Sequence, residues 1–383
     1  GPSLLRAAAK NHRHVVVLCR PGQYDDFLRL YSEHGGEIPA EERVALAAEV
    51  FERTSGYDLE IADGLGLDGG ELPTRLRVGA QLQQALRYGE NPHQRAGFYL
   101  SHAQSPPWNA LHGKELSFNN YADVDCAVEA VGSFAEPAAV IVKHANPCGF
   151  GLGATLEQAY RRALATDPVS SFGGIVGLNR RVDESAARAM AELFLECIVA
   201  PEFSPEALAV LTRKKNLRLL EGGADQASGP VWDLRTAAGG YLLQERDGAD
   251  GEEFWEIVSR RKPSTDEMQS MRLGWKMVRF VKSNAIVLAG LDGLLGVGAG
   301  QMSRVDAVIL AGMKAARSQQ DLSGAVLASD AFFPFPDGLE EAARLGVTAV
   351  IQPGGSVRDK EVIARADEED MAMIHTHTRH FRH

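Results

Sequence analysis

Apolar positions change their spacing along the chain, and the change divides it. Up to about residue 60 the pattern is mostly helical: an Ala-rich run at 3–11, then amphipathic runs at 24–34 and 40–54, the last entered through Pro39. Between the first two lies Val15-Val16-Val17-Leu18-Cys19, whose β-branched run predicts a strand over 14–19. One strand is too few for a sheet, so residues 1–61 read as the end of a larger α/β domain. Residues 62–84 open with a Gly- and Asp-rich stretch without period and read as a linker.

From residue 85 onward, short apolar runs alternate with helical patterns. Strands are predicted at 139–142, 175–178, 286–288, 324–328 and 348–351, and helices at 157–166, 184–197, 265–281 and 305–316. This alternation favours an α/β fold, a sheet covered by helices. One pattern recurs: an apolar strand, a polar pair and a proline-bearing loop occur at 139–147 and again at 325–334. Either two related subdomains, about 85–270 and 271–383, or a chance likeness of two buried strands explains it.

Charge and cysteine usage narrow the classes. The 383 residues carry a net charge of -11. That argues against nucleic acid as the main partner, yet leaves room for a small anion in a local basic pocket. Cys19, Cys126, Cys148 and Cys197 lie far apart with no CxxC pair, as in a reduced, cytoplasmic protein without a disulfide framework or a cysteine-built zinc site. No apolar run is long enough to cross a bilayer.

Candidate chemistry gathers at Lys143-His144, which follows the apolar run 139–142; Pro147 and Gly149 are then expected to break the chain into a loop. A strand of this kind delivers a cation and an imidazole beyond its carboxyl end, where open α/β sheets bind ligands. Lysine can hold developing negative charge, and histidine can move protons near neutral pH. Four further motifs stand beside it. Arg87-Tyr88 opens a stretch ending at Gln94 that is either a phosphate-reading fork or a plain turn. The run 167–174 offers Ser170, Ser171, Gly173 and Gly174 for close approach of a ligand, or is a simple helix–strand connection. Gly296-Val297-Gly298-Ala299-Gly300 is not a dinucleotide fingerprint; it reads as a turn leading to Ser303 as helix N-cap, with Arg304 favouring an anion. Phe332, Phe333 and Phe335, with Asp330 and Asp337, form an aromatic loop that suits a flat ring or covers a small satellite core. The ending, 375–383, holds four histidines, but its spacing is that of a docked strand carrying an anion-binding Arg379.

Together and in this order, these motifs resemble the bifunctional purine biosynthesis protein family, from Leu4 to His383. The resemblance implies a duplicated cytidine deaminase-like transformylase at 85–383, preceded by the remnant of a methylglyoxal synthase-like cyclohydrolase domain. It implies formyl transfer from 10-formyltetrahydrofolate to the 5-amine of AICAR, aminoimidazole carboxamide ribonucleotide. His144 matches the proton acceptor, Lys143 the oxyanion stabiliser and Asn284 a positioning asparagine. Arg87, Tyr88, Gly173, Glu196, Arg379 and Phe381 match nucleotide-holding positions, with Phe332 beside them. Arg304, Asp337, Ser356 and Val357 fall on the folate side. Lys10 matches the lysine of the last cyclohydrolase motif; most of that domain would lie upstream of Gly1, and ring closure to IMP is expected to be absent from this chain. The resemblance also implies a homodimer with sites at its interface, no catalytic metal, and a potassium ion as a possible companion near Asp330. A zinc-dependent nucleobase deaminase would share the fold, but HxE and PCxxC spacings are missing. A non-catalytic nucleotide-binding protein would not need both Lys143 and His144.

Overall fold

The computed structural model describes residues 1–65, 72–101, 106–223, 232–248 and 251–383. Its contacts divide into two units, Gly1–Ala85 with Gly97–Ser105, and Leu86–Ala96 with Pro106–His383.

The first unit holds α1 (Pro2–Lys10), α2 (Tyr24–Glu33), α3 (Ala40–Gly64) and a two-stranded ribbon of β1 (Ala80–Leu86) and β2 (Ala96–Ser101). Ala9, Val17, Ala47 and Val50 form its small core. Two expectations fail here. Residues 15–19 run without strand pairing; Val17 is buried against the helices instead. The linker is shorter than read, because α3 continues through Gly64 and β1 begins at Ala80. Its segment 66–71 lies outside the described residues.

The second unit is one 12-stranded sheet with helices on both faces. In chain order its first part contains β3 (Trp108–His112), α4 (Phe118–Gly132), β4 (Ala138–Lys143), β5 (Asn146–Leu152), α5 (Leu156–Thr166), the short α6 (Pro168–Ser171), β6 (Ile175–Leu178), α7 (Glu184–Ala191), β7 (Cys197–Ala200), α8 (Pro205–Leu211) and β8 (Arg218–Gly222). A separate hairpin follows, β9 (Trp232–Ala237) and β10 (Gly240–Glu245). The second part contains β11 (Glu256–Ile257), α9 (Thr265–Val278), β12 (Ile286–Gly290), β13 (Gly293–Gly298), α10 (Arg304–Arg317), β14 (Val326–Ser329), α11 (Asp337–Arg344), β15 (Ala349–Gln352), α12 (Asp359–Glu368) and β16 (Ala372–His375).

The two parts repeat one another. Strand order is β3-β8-β7-β6-β4-β5 in one run and β11-β16-β15-β14-β12-β13 in the other, and the sense of every pairing is the same. Apart from α6, the helices also fall at matching places along the chain. So β4 corresponds to β12, and β6 to β14. The recurrence seen in the sequence had paired β4 with β14. The second run also starts at β11, ahead of the expected boundary at 271.

Period-2 burial along the strands separates the faces. Val140, Val142, Val199, Val287 and Ala328 face a single core that α4 and α9 cover across both runs. Ile141, Val176 and Ile198 face α5, α7 and α8, while Leu288, Leu327 and Val350 face α10, α11 and α12. Both α4 and α9 begin with a capping box, Ser117 with Asn120 and Ser264 with Glu267, each cap worth about 1 kcal/mol.

Helix–strand crossings explain several glycines. A Cβ on Gly149 would lie 1.9 Å from the Ala163 carbonyl oxygen on α5, and one on Gly298 would lie 1.9 Å from that of Ala307 on α10. The stretch Gly296–Gly298, read as a turn, is therefore the end of strand β13. The helix expected over 184–197 stops at Ala191, and Cys197 opens β7.

The runs meet where β13 pairs antiparallel with β5. As a result β14, β15 and β16 run opposite to β6, β7 and β8. The amino ends of one parallel trio and the carboxyl ends of the other share one edge of the sheet.

Candidate active site

That edge carries most of the residues singled out from the sequence. Lys143 ends β4, and a two-residue turn, His144-Ala145, returns the chain into β5. Both turn residues have φ of +56°, the mark of a type I′ hairpin, which usually takes Asn-Gly. Left-handed conformations at non-glycine residues cost about 1 to 3 kcal/mol each. Pro147 and Gly149 do not break the strand as expected. Pro147 sits beside a bulge in β5, where a missing N–H is tolerated.

His144 stands exposed at the tip, and Lys143 is half-buried with its Nζ donating to the Phe172 carbonyl at 2.8 Å. The turn is gripped from both sides. Asp123 on α4 accepts from the Ala145 N–H at 2.5 Å. Asn146 Nδ2 donates to the His144 carbonyl at 3.1 Å, and its Oδ1 accepts from the Lys282 N–H at 2.9 Å. Asn146 thus ties the hairpin of the first run to the segment before β12 in the second. Neither Asp123 nor Asn146 was singled out from the sequence.

Gly173, Glu196 and Arg218 precede or open β6, β7 and β8. Gly173 has φ of +73° and donates to the Phe194 carbonyl at 2.8 Å. Glu196 pairs with Arg218 at 2.6 Å. These two line a cavity of about 690 Å³ with Arg87, Lys114 and Asn216. Arg87 donates to the Tyr88 hydroxyl at 2.7 Å and lies over its ring. Ser170 and Ser171 are not turned to a ligand, because both hydroxyls donate to Asp167, which also pairs with Lys314 at 3.2 Å.

In the second run Asn284 is held by Arg304, whose Nη2 donates to Asn284 Oδ1 at 2.8 Å. The same guanidinium donates through Nη1 to Asp330 Oδ1 at 2.5 Å and to Ser329 Oγ at 2.7 Å. Asp330 is 0% exposed, and its Oδ2 accepts from Ser283 Oγ. Arg304 was read as an anion-binding group at a helix start. It is buried, and its charge is matched inside the protein. Both Asp330 oxygens likewise accept hydrogen bonds, from Arg304 and from Ser283.

The aromatic loop divides. Phe333 belongs to the core, whereas Phe332 and Phe335 are exposed, with Arg358 over the Phe335 ring at 4.8 Å. Asp337 is exposed at the first turn of α11. The turn at Gly355-Ser356-Val357 is held by Asp359, which accepts from the Gly355 and Ser356 N–H groups at 2.7 and 3.1 Å; Val357 is fully exposed.

After His375 the chain leaves the sheet, so the expected closing strand ends there. The tail is tied by the Ser283 N–H to the Arg382 carbonyl at 2.8 Å, and by the His380 N–H to the Asp330 carbonyl at 2.9 Å. Arg379 lies over the Phe381 ring at 4.4 Å. Both line a second cavity, of about 510 Å³, with Arg235, Arg246, Arg279 and Arg382. Arg87 and Arg379 thus line different cavities among the described residues. Lys10 is exposed at the end of α1, in the first unit.

Burial pushes the Cys126 thiol up to about 12 and that of Cys148 up to about 11, which disfavours the thiolate at neutral pH. Among the described residues no three His, Cys, Asp or Glu side chains gather to hold a metal ion. No helix there is long and apolar enough to cross a membrane.

A lysine and an exposed imidazole thus stand side by side on a braced hairpin, with arginine-lined cavities and exposed aromatics in the same unit. The chain belongs to the AICARFT/IMPCHase bienzyme family, which it matches over residues 8–314. It is 50% identical to the bifunctional purine biosynthesis protein PurH of Myxococcus xanthus, over 100% of this chain and 76% of that protein. It is 48% identical to the protein of the same name from Bacillus cereus, over 100% of this chain and 75% of that one. The family assigns the chain to purine biosynthesis and to AICAR formyl transfer, with a formyl-folate as co-substrate.

Proposed function

We propose that Lys143 and His144 carry out the formyl transfer. The carrying observation is their position: a cation and an imidazole in succession at the tip of a braced hairpin. The 5-amine of AICAR attacks the formyl carbon of 10-formyltetrahydrofolate. His144 takes the amine proton, and Lys143 holds the negative charge that develops on the formyl oxygen. Collapse breaks the bond to the folate N10, which receives the proton, leaving formyl-AICAR and tetrahydrofolate. Asn284, fixed by Arg304, orients the reacting groups.

We assign the nucleotide to Arg87, Tyr88, Gly173, Glu196, Arg379 and Phe381, with Phe332 beside it, and the folate to Asp337, Ser356 and Val357. Arg304 acts on that side through Asn284 and Asp330 and does not itself contact ligand. Arg87 and Arg379 line different cavities, which supports a homodimer in which a second copy completes the site. The repeated strand order supports a duplicated cytidine deaminase-like fold, and the first unit is read as part of a methylglyoxal synthase-like domain. No step calls for a metal ion.

A direct assay tests the reading. Purified chain with AICAR and 10-formyltetrahydrofolate should release tetrahydrofolate, seen by absorbance, and formyl-AICAR, seen by mass. No turnover by a folded sample that binds both substrates would sink it.

A further inference from the structure

We infer that Asp123 is a positioning residue for this reaction: its carboxylate fixes the backbone of the His144-Ala145 turn and so sets the direction in which the imidazole is presented. The inference rests on the proposed role of His144 as proton acceptor.

Asp123 lies in the middle of α4 and is only 9% exposed, on the face shared with buried Asn120, Val124 and Ala127. A carboxylate on the inner face of a helix is unfavourable unless it is hydrogen-bonded. Here the donor is a main-chain group of the turn, the Ala145 N–H at 2.5 Å. The turn needs such a partner. A positive φ is uncommon outside glycine, more so at Ala145 than at His144, and such conformations persist where the surroundings over-determine them. Hydrogen bonds to an ionised group are the strong kind. Burial pushes the Asp123 carboxyl up from its ordinary value, while the bond from the Ala145 N–H and the charge of Lys282 oppose that push. Asn146 closes the turn from the other side.

Asp123→Asn keeps the shape and one acceptor oxygen but removes the charge that strengthens the bond from the Ala145 N–H. In the full chain the expected result is a kcat lower by about 10-fold or more, with the AICAR KM within about threefold and the melting temperature nearly unchanged. Ala145→Gly lets the turn take its positive φ without help, so the Asp123→Asn loss should shrink at least about threefold in that background. A kcat within about threefold of the parent overturns the inference. So does a loss that comes with a matching rise in KM and falling stability, undiminished by Ala145→Gly. If Asp123→Asn does not fold, Asp123→Glu, which keeps the charge but displaces it by a methylene, is judged by the same criteria. His144→Ala measured alongside separates the two readings: full activity there removes the proposed role of His144, whereas loss there with an unaffected Asp123→Asn removes Asp123 alone.

Discussion

Arg304 Nη2 sits 2.8 Å from Asn284 Oδ1, so a half-buried polar side chain is aimed by a guanidinium that is itself largely buried. The other half of that guanidinium neutralises Asp330 in the protein interior. Arg304→Ala removes both functions and leaves a buried charge without its partner. The expected destabilisation is about 3 to 5 kcal/mol, measured by chemical denaturation. Arg304→Lys should keep the pair with Asp330 but lose the second donor, giving intermediate stability and a lowered kcat.

Lys143→Ala and His144→Ala act on the reaction itself. Each should lower the formyl-transfer rate by about 100-fold or more, while AICAR binding measured by calorimetry stays within a few-fold of the parent. A variant that keeps its rate takes that residue out of the mechanism.

Arg87→Ala and Arg379→Ala should each weaken AICAR binding about 10-fold or more, the scale of a lost charge-assisted hydrogen bond. Their mixture is more telling. If one nucleotide uses Arg87 from one subunit and Arg379 from the other, subunit exchange between the two variants rebuilds about a quarter of the sites. Activity in the mixture no greater than the sum of its parts argues for sites contained in single chains.

Glu267 gives an acid-stability prediction. Burial alone would raise its pKa, but hydrogen bonds from Arg261, the Ser264 N–H and Thr348 outweigh it and bring the value to about 2. The folded value lies below the ordinary 4.5, so this stabilisation is fully present above that pH and is lost as pH falls toward 2. Glu267→Gln should cost about 2 kcal/mol at pH 7. Denaturation curves of the two proteins should converge as the pH is lowered.

The strands expected from residue 139 onward were legible in the sequence, as were the helices with a clear apolar stripe and the place of Lys143-His144 at a strand end, whereas the β-branched run 15–19 pairs with no strand. What escaped did so for local reasons. Gly149 and Gly298 look like chain breakers, yet each is glycine because a helix carbonyl occupies the space of a side chain. Helix α4 escaped because Asn120 and Asp123 interrupt its buried face, and one of those interruptions braces the active hairpin. Arg304 looked available because its partner, Asp330, lies 26 residues away on another strand end. The wrong pairing of β4 with β14 has a similar origin: an apolar run shows that a strand is buried, but not its place in the order. That order depends on contacts between distant segments.

The antiparallel seam between β5 and β13 has a consequence for dividing the molecule. Each run of six strands contributes a different kind of end to the working edge, and neither contributes a complete set. Expressed as two polypeptides, the runs would each present an unsatisfied strand along the seam and half of the α4–α9 core to water. They are a matched pair of incomplete parts, and chemistry would return only with reassembly across the seam.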